Sequence, residues 1–269
     1  MIDLHNHMLP GLDDGAPNWE EALTMARMAA EDGIQAVMCT PHRVPGRFEN
    51  TRPIVLQAVE ELRNRLAKEK IPLTIYPGSE LRLDYDLPES IHSGELLTLN
   101  DTGRYALIEL SDEIMPQNLD KFLWDFQTQG VTPVIAHPER NPILLRDPSR
   151  LYKWVEMGVL AQLTSASLQG RFGTAVLKFS IFLLEHHMVH VLSTDAHGSL
   201  TRLPILSEGY RQARKIVGKE MADQIVHEIP RCIVQGDPVT PFDPIPLGSR
   251  SQGSSLWKRL FPIFGSRSR

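Results

Sequence analysis

Two histidines separated by one residue, His5 and His7, lie in the first strand-like run of the chain, Ile2-Asp3-Leu4-His5-Asn6-His7. Side chains two apart on a strand share a face, so Asp3, His5 and His7 point one way and Ile2 and Leu4 the other. Two imidazoles aimed at one point can hold a cation. Further donors recur in comparable places. His42, His137 and His197 each close an apolar run, as do Glu80, Glu109 and Asp195, and Asp14 arrives on the first loop. The other five histidines do not stand at strand ends. Taken singly, His42 or His137 could cap a helix, Glu109 could meet a lysine, and Asp195 could begin a turn. Together, nine nitrogen and oxygen donors from six segments point to one metal site.

Imidazole and carboxylate donors without thiolate suit Mn²⁺, Fe²⁺ or Zn²⁺ better than copper or an iron–sulfur cluster. Nine donors exceed the needs of one ion. Three divalent ions would outweigh the charge of Asp14, Glu80, Glu109 and Asp195 and leave a surplus for an anion. Such a cluster can lower the pKa of a bridging water and hold both oxygens of an in-line displacement, which is the chemistry of phosphoester hydrolysis.

The elements that must position these donors alternate along the chain. A helix spans 19 to about 32, capped by Asn18 with Glu21 in the place of a capping-box partner and closed by Gly33. A buried strand over 34–40 ends in Pro41-His42. The polar, arginine-bearing stretch 43–52 reads as a loop, and a helix follows from Pro53 to about Lys70. Strands are expected over 73–76, 105–110, 131–136, 159–163 and 189–194. Helices are expected over 117–129, 149–157, 174–187, 204–217 and 219–227, whereas 81–103 has no secure pattern. Roughly seven strands joined to helices by short connections imply a parallel sheet of βαβ units. No Gly-x-Gly-x-x-Gly follows a strand and no P-loop occurs, which favours a barrel with the site at the carboxyl ends of its strands.

Composition narrows the class. The chain has 269 residues, 42% hydrophobic and 23% charged, as expected of one globular α/β domain. A net charge of −5 gives no general pull toward nucleic acid. Cys39 and Cys232 are the two cysteines, too few for a disulfide framework, and a reducing cytoplasm is expected. No run approaches the roughly 18 apolar residues that span a bilayer, and the start lacks signal-peptide order. The phosphatase domain is expected over 1–242 and a flexible basic tail over 243–269. Within the tail, Leu256-Trp257-Lys258-Arg259-Leu260-Phe261 offers a peripheral contact with an anionic membrane surface. Equal liposome binding by the full chain and by one ending at Pro246 would exclude that contact.

The motifs Ile-Asp-Leu-His-Asn-His, Leu-Asp-Asp-Gly, Thr-Pro-His at 40–42, Gly-Ser-Glu at 78–80, Tyr-Ala-Leu-Ile-Glu at 105–109, Ile-Ala-His-Pro-Glu-Arg at 135–140 and Ser-Thr-Asp-Ala-His at 193–197 stand in one order. In this the chain resembles the PHP (polymerase and histidinol phosphatase) superfamily. Within it, the likeness is to the metal-dependent bacterial protein-tyrosine phosphatases of capsule and exopolysaccharide systems, the CpsB type. The resemblance implies a distorted (β/α)7 barrel and three divalent ions, usually described as manganese. Carried over by position, His5, His7, Glu80 and Asp195 would hold one ion. Glu80 would bridge to a second, held by Glu109 and His137, and Asp14, His42 and His197 would hold the third. Arg140 and Arg202 match the arginines that grip substrate phosphate. The chain departs from the family pattern at Arg43, Asn141 and Leu203, which bear on the substrate rim rather than on the ligands.

The resemblance implies hydrolysis of phosphotyrosine by an activated water, without a cysteinyl-phosphate. The expected partner is a membrane-associated tyrosine autokinase controlling polysaccharide export. A small-molecule phosphatase of histidinol-phosphate type and a non-catalytic metal-stabilised binding module are the alternatives.

Overall fold

The computed structural model describes residues 1–248. In chain order it contains β1 (Ile2–Asn6), α1 (Trp19–Glu31), β2 (Ala36–Cys39), β3 (His42–Val44), β4 (Phe48–Glu49), α2 (Arg52–Glu69), β5 (Thr74–Pro77) and β6 (Glu80–Arg82). There follow α3 (Leu87–His92), β7 (Tyr105–Glu109), α4 (Leu119–Thr128), β8 (Thr132–Ala136), α5 (Pro142–Arg146) and α6 (Ser149–Glu156). The remainder comprises β9 (Leu160–Thr164), α7 (Thr174–Glu185), β10 (Val191–Ser193), α8 (Ser207–Asp223) and α9 (Ile229–Gln235). Nothing among the described residues is a helix long and apolar enough to cross a membrane. The aromatic basic segment read as a membrane contact lies outside the described residues.

The strands form two sheets, β1-β2-β5 and β10-β9-β8-β7-β6-β3-β4, parallel throughout except for the β3–β4 hairpin. The sheets are continuous through the chain. Pro41, which has no backbone N–H, interrupts β2 before β3, and Gly78-Ser79 separates β5 from β6. On the far side, Asn6 bridges to Ala196, Asp195 N donates to His5 O at 2.8 Å, and His7 N donates to Ala196 O at 2.9 Å. The order is compatible with the expected distorted barrel of seven β/α units.

Alternation along the strands sorts the core into two layers. Leu4, Met38, Leu107, Val134, Ala136, Leu160 and Val191 pack with Ile229 and Ile233 of α9 in one cluster. Val37, Ile108, Ile135, Ala161, Leu163 and Leu192 pack in the other, with Met25 of α1, Leu62 of α2, Phe126 of α4, Trp154 of α6 and Phe179 of α7. Glu109 follows Tyr105 and Leu107 on the face of the first cluster. The same period that fills that cluster therefore carries its carboxylate to the strand end.

The stretch 43–52 corrects the sequence expectation. It is a hairpin turning at Pro45-Gly46, with Arg43 opposite Glu49 and Val44 opposite Phe48. Asn18 caps α1 by accepting from Glu21 N. Glu21 does not return to Asn18 as a capping box would; its carboxylate accepts from Ser199 N and ties α1 to the loop after β10. Within 81–103, where the sequence shows no secure pattern, α3 and a short 3₁₀ turn form. Gly218, at φ 79°, breaks α8 where the two final helices were expected to separate.

Candidate metal centre

All nine predicted donors gather at the carboxyl ends of the strands. The register of β1 against β2 shifts between Asp3 and Asn6, and the Nε2 atoms of His5 and His7 stand 3.0 Å apart. Both face Glu80 Oε2, at 3.2 and 3.4 Å, and both lie 3.4 Å from Asp195 Oδ1. The β3–β6 register sets His42 directly opposite Glu80; His42 Nδ1 is 2.9 Å from Glu80 Oε2 and its Nε2 is 3.4 Å from Asp14 Oδ1. His137 Nε2 lies 2.8 Å from Glu80 Oε1 and 4.0 Å from Glu109 Oε1. His197 Nε2 is 3.6 Å from Asp14.

Four overlapping groups have the spacing to hold an ion: His7 with Asp14, His42 and His197; His5 with His7 and Glu80; His5 with His137 and Asp195; and His42 with Glu80 and Glu109. The remaining histidines, His92, His186, His187, His190 and His227, belong to none of these groups.

The buried donor atoms suit cations. Glu80 Oε2, Glu109 Oε2, Asp195 Oδ1, His42 Nδ1 and His197 Nε2 are shielded from solvent and, although other polar groups stand close to them, make no well-aligned hydrogen bond among the described residues. Carboxylates and imidazoles this deeply buried need opposite charge close by; histidines and arginines supply part of it here, and a donor set of this kind suits divalent cations for the rest. The local field has the same character. Burial pushes the Glu80 carboxyl up, but the surrounding histidines outweigh it and hold the group well below the usual range. Asp195 is held low against the same burial by Arg140 and His5. Burial, then Glu80, raises Glu109. Burial and Arg140 pull His137 down to about 4, which leaves its imidazole neutral and able to donate a lone pair at pH 7.

Arg140 and Arg202 converge on the same oxygen, Asp195 Oδ2, to which Arg140 donates through Nη2 and with which Arg202 Nη2 forms an ion pair. Their Nε atoms are buried without a partner, and the Arg140 guanidinium lies 4.9 Å over the Phe172 ring. His137, Asp195 and Arg202 all adopt positive φ, at 33°, 52° and 49°. This backbone region is disfavoured for non-glycine residues and recurs where side chains are aimed at a site.

Two supporting residues escaped the sequence reading. Asp13, neighbour of the predicted ligand Asp14, accepts from His7 Nδ1 at 2.7 Å and from the backbone N–H groups of His42 and Gly15, each at 2.9 Å. Gln162 on β9 places Oε1 3.0 Å from His5 Nδ1 and 3.1 Å from His137 N. Each fixes the ring nitrogen that faces away from the donor cluster, which sets the tautomer. A lone amide in the apolar run Val159-Leu160-Ala161-Gln162-Leu163 was the available signal for Gln162. Neither cysteine borders the mouth. Cys39 is in the core, where burial pushes its thiol up, and Cys232 is half-buried on α9.

A family model described as capsular polysaccharide synthesis, CpsB/CapC, matches residues 1–235. The chain belongs to this family. Among CpsB/CapC relatives, tyrosine-protein phosphatase YwqE of Bacillus subtilis (strain 168) is 40% identical over 221 residues, covering 82% of this chain and 87% of YwqE. Tyrosine-protein phosphatase CpsB of Streptococcus agalactiae serotype V is 30% identical over 240 residues, 87% of this chain and 98% of that one. A crystal structure from a study of YwqE from B. subtilis and CpsB from Streptococcus pneumoniae, described as metal-dependent tyrosine phosphatases, superposes with a TM-score of 0.88. It is 36% identical and covers 93% of this chain and 100% of the other. A histidinol phosphate phosphatase from Lactococcus lactis shares the fold, with a TM-score of 0.52 at 15% identity over 80% of this chain and 92% of the other.

Proposed function

We propose that this CpsB/CapC chain is a metal-dependent protein-tyrosine phosphatase. Its substrate in this reading is the phosphotyrosine of a membrane-associated bacterial tyrosine kinase that regulates capsular or extracellular polysaccharide synthesis, reached from the cytoplasm. The observation that carries the reading is the convergence of nine donors on one mouth beside two arginines that share Asp195. Relatives named tyrosine-protein phosphatases support the reaction, and the family's capsular description supports the setting.

We assign the donors to three divalent ions, most simply manganese, with iron or zinc as alternatives. In this assignment His5, His7, Glu80 and Asp195 would hold the first, Glu80, Glu109 and His137 the second, and Asp14, His42 and His197 the third. When bound, such cations acidify a water and offset charge on a transferring phosphoryl group. The protein's own part is positioning. Arg140 and Arg202, each paired with Asp195, both line the cavity, where a planar guanidinium fork suits phosphoryl oxygens. Phe172 beneath Arg140 restrains the guanidinium plane. Gln162 and Asp13 hold the imidazoles of His5 and His7 with their other nitrogens toward the cluster. A phenolate, with a reference pKa of about 10, leaves with less protonation than an alkoxide requires.

The test is phosphate release from a tyrosine-phosphorylated peptide, beside histidinol phosphate, by metal-stripped protein with Mn²⁺ restored. We expect manganese-dependent hydrolysis of the peptide, and a His137→Ala variant slower by at least about 100-fold. No release from the peptide with any divalent metal would refute the reading, and release from histidinol phosphate alone would move the chain to the small-molecule class.

A further inference from the structure

The cavity above the donors has a volume of about 300 Å³. Eleven residues border it, and nine of them carry a charged group or an imidazole. The two exceptions are Val44 and Phe48, opposite one another on the β3–β4 hairpin. An apolar substituent entering this mouth has only that wall against which to leave water.

The wall is held in place. Arg43 pairs with Glu49 at 2.8 Å, and Gly46 N donates to Glu49 Oε1 at 2.6 Å. Asn50, buried at the base, donates to the carbonyls of Leu12 and His42, each at 2.8 Å. The Phe48 ring lies nearly parallel to the His42 imidazole, 11° between planes and 5.9 Å between centroids. The Arg47 guanidinium, on an exposed side chain, sits 4.8 Å over the Phe48 ring. The hairpin thus fixes an aromatic group beside a predicted metal ligand, in the lining of the same cavity as Arg140 and Arg202.

We propose that Val44 and Phe48 form the aryl-binding wall of this site, packing the ring of an aryl phosphate while its phosphate lies toward Arg140 and Arg202. The proposal rests on the phosphatase reading and adds the residues that select the aryl group. A phenyl ring meets Phe48 edge-on or offset, the arrangements aromatic pairs favour, and Arg47 can swing over its free face. A short alkyl phosphate reaches the same arginines but gains little from the wall. Selection for aryl phosphates then has a binding component as well as the leaving-group component.

Calorimetric titration of the manganese-loaded full chain with phenylphosphonate and methylphosphonate, neither of which is hydrolysed, measures that component without turnover. The wild-type chain should prefer the phenyl compound by about tenfold, the scale of one aromatic contact with its buried area. Phe48→Ala should bring the two affinities close to parity while leaving methylphosphonate binding unchanged. Phe48→Leu and Val44→Ser should each retain part of the preference. An unchanged ratio in Phe48→Ala overturns the wall, as does a parallel loss of both ligands, which would assign Phe48 to holding the hairpin. If Phe48→Ala does not fold, an unchanged ratio in both Phe48→Leu and Val44→Ser is the overturning result. A wild-type chain that prefers phenylphosphonate yet cleaves no aryl phosphate would uphold the wall and refute the phosphatase reading. Hydrolysis of phosphotyrosine peptide with no phenyl preference would do the reverse.

Discussion

A single amide illustrates how the donors are aimed. Gln162 presents one oxygen to His5 Nδ1 and to the backbone N–H of His137, so two proposed ligands from different strands are oriented by one side chain. Replacing it by leucine keeps the approximate volume but removes the acceptor. His5 could then rotate or change tautomer, and His137 N would be buried without a partner, at roughly 1–3 kcal/mol. We expect Gln162→Leu to weaken Mn²⁺ binding by about 10- to 100-fold, the usual effect of removing such a support, as measured by competition with a chelating indicator; undiminished affinity would remove Gln162 from this role. At this scale the sequence was uneven. Glu109 could be read because Tyr105 and Leu107 share its face and set its direction. Asp13 and Asp14 are adjacent and chemically alike, and no pattern tells which carboxylate meets His7 Nδ1 and which stands toward the mouth. The positive φ of His137, Asp195 and Arg202 comes from tertiary closure and leaves no mark on periodicity.

At the scale of elements, the long strands and helices follow from apolar period and caps, whereas the hairpin does not. Val44 and Phe48 flank only Pro45-Gly46-Arg47, so each arm is too short to show an alternation, although Pro-Gly is a turn signal. Glu21 shows a different limit. Its spacing from Asn18 fits a capping box, but Ser199 N competes for the same oxygen and wins through a contact 178 residues away in sequence. His190 joins two elements in a way that can be tested by pH. It stands just before β10, its Nδ1 accepts from Ala161 N at 3.0 Å, and its Nε2 is buried without a partner. Burial pulls its pKa to about 4, from an ordinary 6.5. The unfolded chain therefore takes up a proton below pH 6.5 that the folded chain refuses until about pH 4. The stability linked to His190 is complete above pH 6.5 and falls by about 3 kcal/mol as pH drops to 4. His190→Asn keeps an acceptor for Ala161 N but does not titrate. Its unfolding free energy, from urea melts, should fall less steeply between pH 6 and 4.5 than that of the wild type, by up to about 1.4 kcal/mol per pH unit. Parallel pH profiles would show that His190 is protonated without cost.

For the whole molecule, the donor cluster joins parts of the chain that are far apart in sequence, from His5 on β1 to His197 beyond β10. Asp13, Asp14, Glu80, Glu109 and Asp195 bring five carboxylates together, and among the described residues Arg140 and Arg202 are the cations that pair with Asp195. A fold that gathers this much negative charge is stabilised by whatever neutralises it, and the unfolded chain, with its donors dispersed, cannot offer the same site. Binding to the folded state alone adds about 2.7 kcal/mol at a free ion concentration 100 times the Kd. For a chain of this size each kcal/mol corresponds to about 2–4 °C in Tm. Removing the metal with a chelator should therefore lower Tm by about 5–10 °C or more, and Mn²⁺ should restore it in a concentration-dependent way. The same treatment should shift a Glu80→Gln variant much less, because Glu80 faces His5, His7, His42 and His137, more histidines than any other carboxylate of the cluster. An unchanged Tm on chelation, measured by scanning calorimetry, would mean that arginines and histidines alone balance the carboxylates. Ion pairs would then hold the strand ends together, and the three-ion assignment would fail.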